Sequence, residues 1–198
     1  MYVCEINGLT VRIEGDDRLF SPRHGDRGTL AMLKHACLEK GQKVLDLGCG
    51  CGIVGIYAGM VCGQEGVILS DIDPIAVEVS RRNAALNGLA LKCTVSDGFD
   101  GINEAGFDVI LSNPPYQTDF AVAKRFIEKG FNRLKIGGTL YMVTKRRPWY
   151  ENKLRAVFGG CRVSCEDGYY VFCAERRSAE RGRVGSACSR LRTGKENG

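Results

Sequence analysis

No stretch of this 198-residue chain approaches the ~20 consecutive apolar residues of a membrane-spanning helix, so no membrane partner is expected. Residues 1–8 include an acid and lack a basic lead, which argues against a secretory signal. There is no Cys-x-x-Cys pair, and the two histidines, His24 and His35, lie apart in sequence, so no metal site is expected. Internal repeats and interior low-complexity linkers are missing as well. Ten cysteines remain to be explained. Without an export signal they read as reduced thiols of a cytoplasmic protein, most of them small buried hydrophobes, with Cys93, Cys161 and Cys173 in core strands. Cys49 and Cys51 are the exception, since they lie in a glycine turn where oxidants are expected to reach them.

Net charge is also missing from most of the chain. Residues 1–175 hold 21 Lys/Arg and 21 Asp/Glu, so the whole +5 excess falls in residues 176–198. That segment is rich in Gly, Ser and Arg and has no apolar periodicity. It reads as a disordered basic tail, either an electrostatic arm for RNA or a solvated extension. With 44% apolar residues, 1–175 is expected to form one domain, its first 40 residues being a hairpin and a helix. A second basic cluster, Lys145-Arg146-Arg147 with Trp149 and Tyr150, follows a predicted strand. It reads as a phosphate clamp or as a basic helix start.

What is present is an alternation of strands and helices. Residues 2–6 and 9–13 alternate around Asn7-Gly8, a hairpin turn signal. A helix is expected over 26–39, with Leu30, Leu33 and Cys37 on one face and Ala36 and Leu38 widening it. Strands 44–47, 67–70, 91–95, 107–112 and 139–144 then alternate with helices 53–62, 74–87, 119–133 and 149–158. Strands 161–166 and 169–174 close the chain around Asp167-Gly168. This order implies an α/β fold with a mainly parallel, doubly wound Rossmann-like sheet, helices on both faces and one antiparallel strand.

Two motifs carry the chemistry. The run 43–55 reads as strand, glycine turn and helix start, and Gly50, Gly52 and Gly55 satisfy the spacing of a dinucleotide fingerprint. Asp46 argues against that cofactor, because a carboxylate at the strand end repels a pyrophosphate and welcomes a cation. Asp71 ends the next strand, where a carboxylate accepts from ribose hydroxyls. Asp97 follows the third and is suited to an adenine amine. Three acids after three strands fit an adenosyl cofactor without phosphates. Gly48, Gly50 and Gly52 would let the backbone approach its cationic end, with Asp46 ordering the amino group there. The second motif, Asn113-Pro114-Pro115-Tyr116, closes the apolar strand 107–112. Two prolines force a stiff turn that gathers a carboxamide, a proline carbonyl and an aromatic ring. Such a trio suits a flat, amine-bearing group.

Over residues 18–175 the chain resembles class I S-adenosylmethionine (SAM)-dependent methyltransferases, specifically the methyltransferase small domain group that includes ribosomal RNA guanine-N2 methyltransferases. The residues that carry the resemblance are Phe20-Ser21-Pro22, Asp26-Arg27-Gly28-Thr29, the glycine turn, Asp71-Ile72-Asp73-Pro74, Arg82-Asn83, Asn87-Gly88 and Asn113–Tyr116. It implies a seven-stranded sheet of order 3-2-1-4-5-7-6. It also implies a SAM site built from Asp46, Gly48, Gly50, Gly52, Asp71, Ile72, Asp97, Gly98 and Asn113. Asn113, Pro114, Pro115 and Tyr116 would form the catalytic motif. RNA guanine enzymes of this group often carry Phe and then His where this chain has Tyr116 and Gln117, and the same tetrapeptide appears in relatives that methylate adenine N6 or a protein glutamine. The implied substrate is an exocyclic amine of RNA, guanine N2 in ribosomal RNA before adenine N6. A protein glutamine or a non-catalytic RNA-binding scaffold are the alternatives. Without an obvious separate RNA-binding domain, a partner or a homodimer is a further expectation.

Overall fold

The computed structural model describes residues 1–19, 25–115 and 120–182. It begins with a separate antiparallel hairpin, β1 (Tyr2–Ile6) and β2 (Leu9–Ile13), paired from Tyr2↔Ile13 to Ile6↔Leu9. Asn7 (φ 47) and Gly8 (φ 81) both take positive φ, the geometry of the tight turn their pairing signals. Helix α1 (Arg27–His35) follows, then β3 (Val44–Leu47), α2 (Ile53–Cys62), β4 (Val67–Asp71), α3 (Pro74–Leu86) and β5 (Lys92–Val95). The second half holds β6 (Phe107–Ser112), α4 (Phe120–Arg133), β7 (Leu134–Thr144), α5 (Arg147–Phe158), β8 (Arg162–Glu166) and β9 (Tyr169–Glu175).

The last seven strands form one sheet of order β5-β4-β3-β6-β7-β9-β8, the order implied by the resemblance. One strand is reversed: β9 runs antiparallel to both β7 and β8. Strands buried on both faces are near-continuous apolar runs. Accordingly Val44, Val109 and Leu111 face one core with α1, α2 and the hairpin, while Leu45, Leu47 and Ile110 face another with α4 and α5. Consecutive strands run outward from β3 to β5 on one side, and β6 lies on the other. That reversal opens a crevice at the carboxyl ends of β3 and β6, the usual ligand position in such sheets.

Some boundaries differ from the sequence reading. The first helix was expected over 26–39, but Ala36 is extended (ψ 124) and the chain leaves the helix there. A tertiary bond replaces the helical one, the Cys37 N–H donating to the Tyr141 hydroxyl at 3.2 Å, and Cys37 is exposed. The strand expected at 139–144 begins at Leu134, because Gly137 (φ 83) and Gly138 form an irregularity within it. A Cβ on Gly138 would stand 2.7 Å from the Phe107 carbonyl oxygen. The last helix starts at Arg147, with Pro148 tolerated in its first turn.

The cysteine expectations also need correction. Among the described residues Cys4, Cys49 and Cys62 are buried, Cys93 and Cys173 are half-buried in strands, Cys161 precedes its strand, and Cys165 is exposed. Burial pushes the thiols of Cys49 and Cys51 up, disfavouring the thiolate that oxidants attack. Residues 176–182, assigned by composition to the tail, are hydrogen-bonded to the body. The Arg176 N–H donates to Gly138 O (2.8 Å) and the Gly182 N–H to Val157 O (3.1 Å). Residues 183–198 lie outside the described residues, as do Phe20, Ser21 and Pro22. Among the described residues no helix is long and apolar enough to cross a membrane, and no cluster of His, Cys, Asp and Glu is set to hold a metal.

Candidate active site

The crevice is built from the ends of four parallel strands. Asp46 stands in β3 beside Leu69 and Leu111, on the face toward α2. It is only 2% exposed, and its Oδ2 accepts the Gly55 N–H at 2.8 Å. Burial pushes this carboxyl up to about 7, the nearby Asp71 charge adds to that, and the Gly55 N–H opposes it. Asp46 therefore lies under the turn as a nearly enclosed acid, not as an open hydrogen-bonding surface.

Above it the glycine turn is held on every side. The N–H groups of Gly48 and Cys49 both donate to Ser70 O, at 2.8 and 2.9 Å. The Asp71 carboxylate accepts from Gly50 N–H (2.9 Å) through Oδ2 and from Asp73 N–H (3.0 Å) through Oδ1. It is thus aimed by two backbone donors before any ligand arrives. Asn83, 1% exposed, brackets the turn from α3: its Nδ2 donates to Cys51 O (2.9 Å) and Glu14 O (3.2 Å), and its Oδ1 accepts Glu14 N–H (2.9 Å). The glycines divide by role. Space is open where Gly48 and Gly50 would carry a Cβ, whereas at Gly52 a Cβ would meet Ser80 Cβ at 2.9 Å. Gly52 serves close packing under the turn, and the first two leave room for a ligand.

Ile72, 64% exposed, follows Asp71 as an apolar shelf. Asp97 lies beyond β5, whose Val95 pairs with Asp71. The structure gives Asp97 a partner that sequence did not reveal, Arg125 of α4, with Nη1 at 2.9 Å from Oδ2. Arg125 also donates to the Asp97 carbonyl, and Gly98 (φ 60) tucks beneath it. Any ligand amine at Asp97 would share the carboxylate with this guanidinium, using its outer lone pairs.

On the other side of β3, the Ser112 hydroxyl donates to Leu47 O at 2.7 Å and pins the end of β6 to the start of the glycine turn. Since Asp46 pairs with Leu111, the glycine turn and the Asn113 turn leave the ends of adjacent parallel strands. Asn113 is half-buried, Pro114 buried and Pro115 exposed. Tyr116 lies outside the described residues. Asn113 Nδ2 donates to Asp26 Oδ1 (2.7 Å) and to Thr29 Oγ1 (3.0 Å), both at the start of α1. The Asp26-x-x-Thr29 spacing announces a helix cap, but nothing in it points to a residue 84 to 87 positions away.

A basic and aromatic ledge adjoins the crevice where β7 ends. Phe120 and Trp149 stack with centroids 4.3 Å apart at 14°. Arg146 lies over Phe120 (5.4 Å), Lys145 over Tyr169 (4.7 Å) and Arg147 over Tyr170 (5.6 Å). The cationic heads are thereby held beside aromatic faces.

The family model for the methyltransferase small domain matches residues 10–173. The chain is 33% identical over 163 residues to a ribosomal RNA small subunit methyltransferase C of Pseudomonas putida, covering 80% of this chain and 49% of that protein. A namesake from Pseudomonas paraeruginosa is 34% identical over 164 residues, with the same coverage. The chain spans about half the length of the curated relatives it matches. Among solved structures it superposes on the T. thermophilus 16S rRNA N2 G1207 methyltransferase in complex with AdoMet and guanosine. The TM-score is 0.81 and the identity 26%, covering 89% of this chain and 50% of that one. TrmN from Thermus thermophilus gives 0.64 at 25% identity, covering 74% and 47%.

Proposed function

The chain belongs to the methyltransferase small domain family, and from that premise we propose that it transfers a methyl group from SAM to an exocyclic amine of a base in RNA, guanine N2 of small-subunit ribosomal RNA. One observation carries the reading: Ser112 pins the Asn113 turn to the glycine turn, which sets the Asn113 carboxamide beside the acid-flanked glycine turn. The pocket fits the cofactor. Its turn offers open space at Gly48 and Gly50; Asp71 beside it is suited to ribose hydroxyls, and the enclosed Asp46 beneath it acts on a nearby positive charge through its field. When bound, SAM supplies an electrophilic methyl on a positively charged sulfur.

The chain's residues supply alignment and charge. Asp71, aimed by Gly50 and Asp73, would accept from the ribose, and Ile72 would cover the adenine face. Asp97 would share its carboxylate between Arg125 and the adenine amine. The Asn113 carboxamide oxygen and the Pro114 carbonyl accept the two N–H bonds of the target amine. This turns its lone pair toward the methyl and stabilises the positive charge that develops on nitrogen. Pro115 stiffens the turn, and the stacking of the base is assigned to Tyr116. The amine proton would leave to solvent once the nitrogen has taken the methyl that SAM supplies. A base in a duplex does not reach such a crevice, so the target is single-stranded or flipped, and the ledge of Lys145, Arg146 and Trp149 supports its flanking strand.

Unmodified small-subunit ribosomal RNA incubated with labelled SAM should yield N2-methylguanosine on nucleoside mass spectrometry. Label entering a release-factor glutamine peptide while RNA stays unlabelled would overturn the RNA reading.

Two variants report on the cofactor. Asp71→Ala should weaken SAM binding by about 1.5–3 kcal/mol in calorimetric titration, the scale of a charge-assisted hydrogen bond. Asp46 makes binding pH-dependent. Because its folded pKa lies above that of the unfolded chain, ionising it costs folded-state stability as pH rises from about 4 to about 7. A cation bound above the turn favours the ionised form, so binding releases a proton below the carboxyl's pKa. SAM affinity should therefore climb between about pH 5.5 and 7, approaching one log unit per pH unit, and Asp46→Asn should flatten the profile.

A further inference from the structure

The Asn113 carboxamide has two ends, and only one suits an amine. Turned with its oxygen toward the acceptor it receives N–H bonds, whereas turned the other way it offers N–H bonds to a carbonyl or a ring nitrogen. The two ends are nearly isosteric, so the turn 112–115 does not select between them by shape. The start of α1 does. Asp26 Oδ1 lies 2.7 Å from Asn113, and a carboxylate oxygen only accepts, so the atom facing it is Nδ2. Thr29 Oγ1 takes a second Nδ2 contact at 3.0 Å. The same Asp26 oxygen accepts the Thr29 N–H at 2.9 Å as the helix cap, which fixes Asp26 itself. Thr29 is 8% exposed, and α1 packs on the sheet through Ala31, Met32 and Leu33.

We propose that Asp26 and Thr29 are positioning residues that fix the donor–acceptor polarity of the site. By committing the amide nitrogen of Asn113 they turn its oxygen to the opposite side and make the site selective for an amine that donates. The proposal rests on the reading of Asn113 given above, and it assigns α1 a part in choosing the class of acceptor atom. Asp26 adds a negative charge on the far side of the carboxamide. That charge polarises the amide toward its oxygen and strengthens it as an acceptor while positive charge grows on the substrate nitrogen.

Asp26→Asn keeps a good helix cap with an amide oxygen in place of the shared carboxylate oxygen, so the negative charge that holds the Asn113 nitrogen is lost while α1 stays folded. Thr29→Val removes the hydroxyl at nearly constant shape, and Thr29→Ser restores it. Both Asp26→Asn and Thr29→Val should lower kcat on unmodified small-subunit ribosomal RNA by roughly 10- to 100-fold, with KM for SAM unchanged and Thr29→Ser close to wild type. A second readout needs no substrate: the side-chain amide signals of Asn113 in 15N-labelled protein should shift and exchange faster with water in Asp26→Asn and Thr29→Val. If those signals stay as in the wild type, or if both variants turn over at the wild-type rate on RNA that the wild type methylates, the proposal is overturned. Should RNA prove not to be the substrate, the amide signals still decide whether the start of α1 orients Asn113.

Discussion

Asn113→Ala is expected to abolish most turnover while leaving SAM affinity within about twofold of wild type. The carboxamide touches α1 on one side, at Asp26 and Thr29, and is assigned to the acceptor amine on the other. Its removal takes away a preorganised polar group whose loss elsewhere costs about 2.7–4 kcal/mol of barrier, or roughly 10²–10³ in kcat. It also strips Asp26 and Thr29 of a shared donor, but Asp26 keeps the Thr29 N–H, so the cap survives. Single-turnover kinetics beside calorimetry separates the two effects. A folded Asn113→Ala protein with near-normal turnover would refute the mechanism.

Gly52→Ala should produce the largest loss of stability among single changes in the glycine turn. Two costs coincide there. Gly52 has φ 92, and a left-handed backbone costs an L residue about 1–2 kcal/mol. The new Cβ would also stand 2.9 Å from Ser80 Cβ and 3.1 Å from Ser80 Cα, and overpacking of this kind adds about 1–3 kcal/mol. The backbone of α3 would have to move, and α3 carries Asn83, which brackets the turn. Denaturant titration should show a lower midpoint with an unchanged slope. Gly48→Ala is the contrast: φ is 81 but nothing lies within 4 Å of its Cβ, so it should cost less stability and act on SAM binding instead. Equal midpoints for the two variants would contradict the division of roles.

The sheet was legible because each central strand is an apolar run closed by a turn residue with a mechanical reason to be there. Asn7-Gly8 and Asp167-Gly168 take the positive φ values that their pairings announce. The ends of elements were legible only where a local residue ends them, as Asn87 caps α3. Where a distant group decides, the sequence was silent: the Tyr141 hydroxyl drew Cys37 out of α1, and the glycines of β7 bent that strand instead of preceding it. Within the site, Asp71 and the Asn113 turn were readable because they sit at strand ends beside glycine or proline. Asp46 was readable as an acid, but its burial beneath the turn was not. The bonds made by Arg125, Ser112 and Asn83 were not legible, for a common reason. Each is an ordinary polar residue in a helix or at a strand end, and its partners lie 28, 65 and 32 to 69 positions away.

Those long sequence separations impose an order on how the chain matures as it is made. The β1–β2 hairpin closes on itself within thirteen residues, yet its exit at Glu14 waits for Asn83, and Asp26 waits for Asn113. Loop closure over such spans is slow and entropically costly until several contacts form together. During synthesis the glycine turn is therefore finished only after α3 has emerged, and the acceptor side only after β6 has. The half of the site that faces the methyl donor is therefore completed first, and the acceptor half joins it only when β6 pairs beside β3.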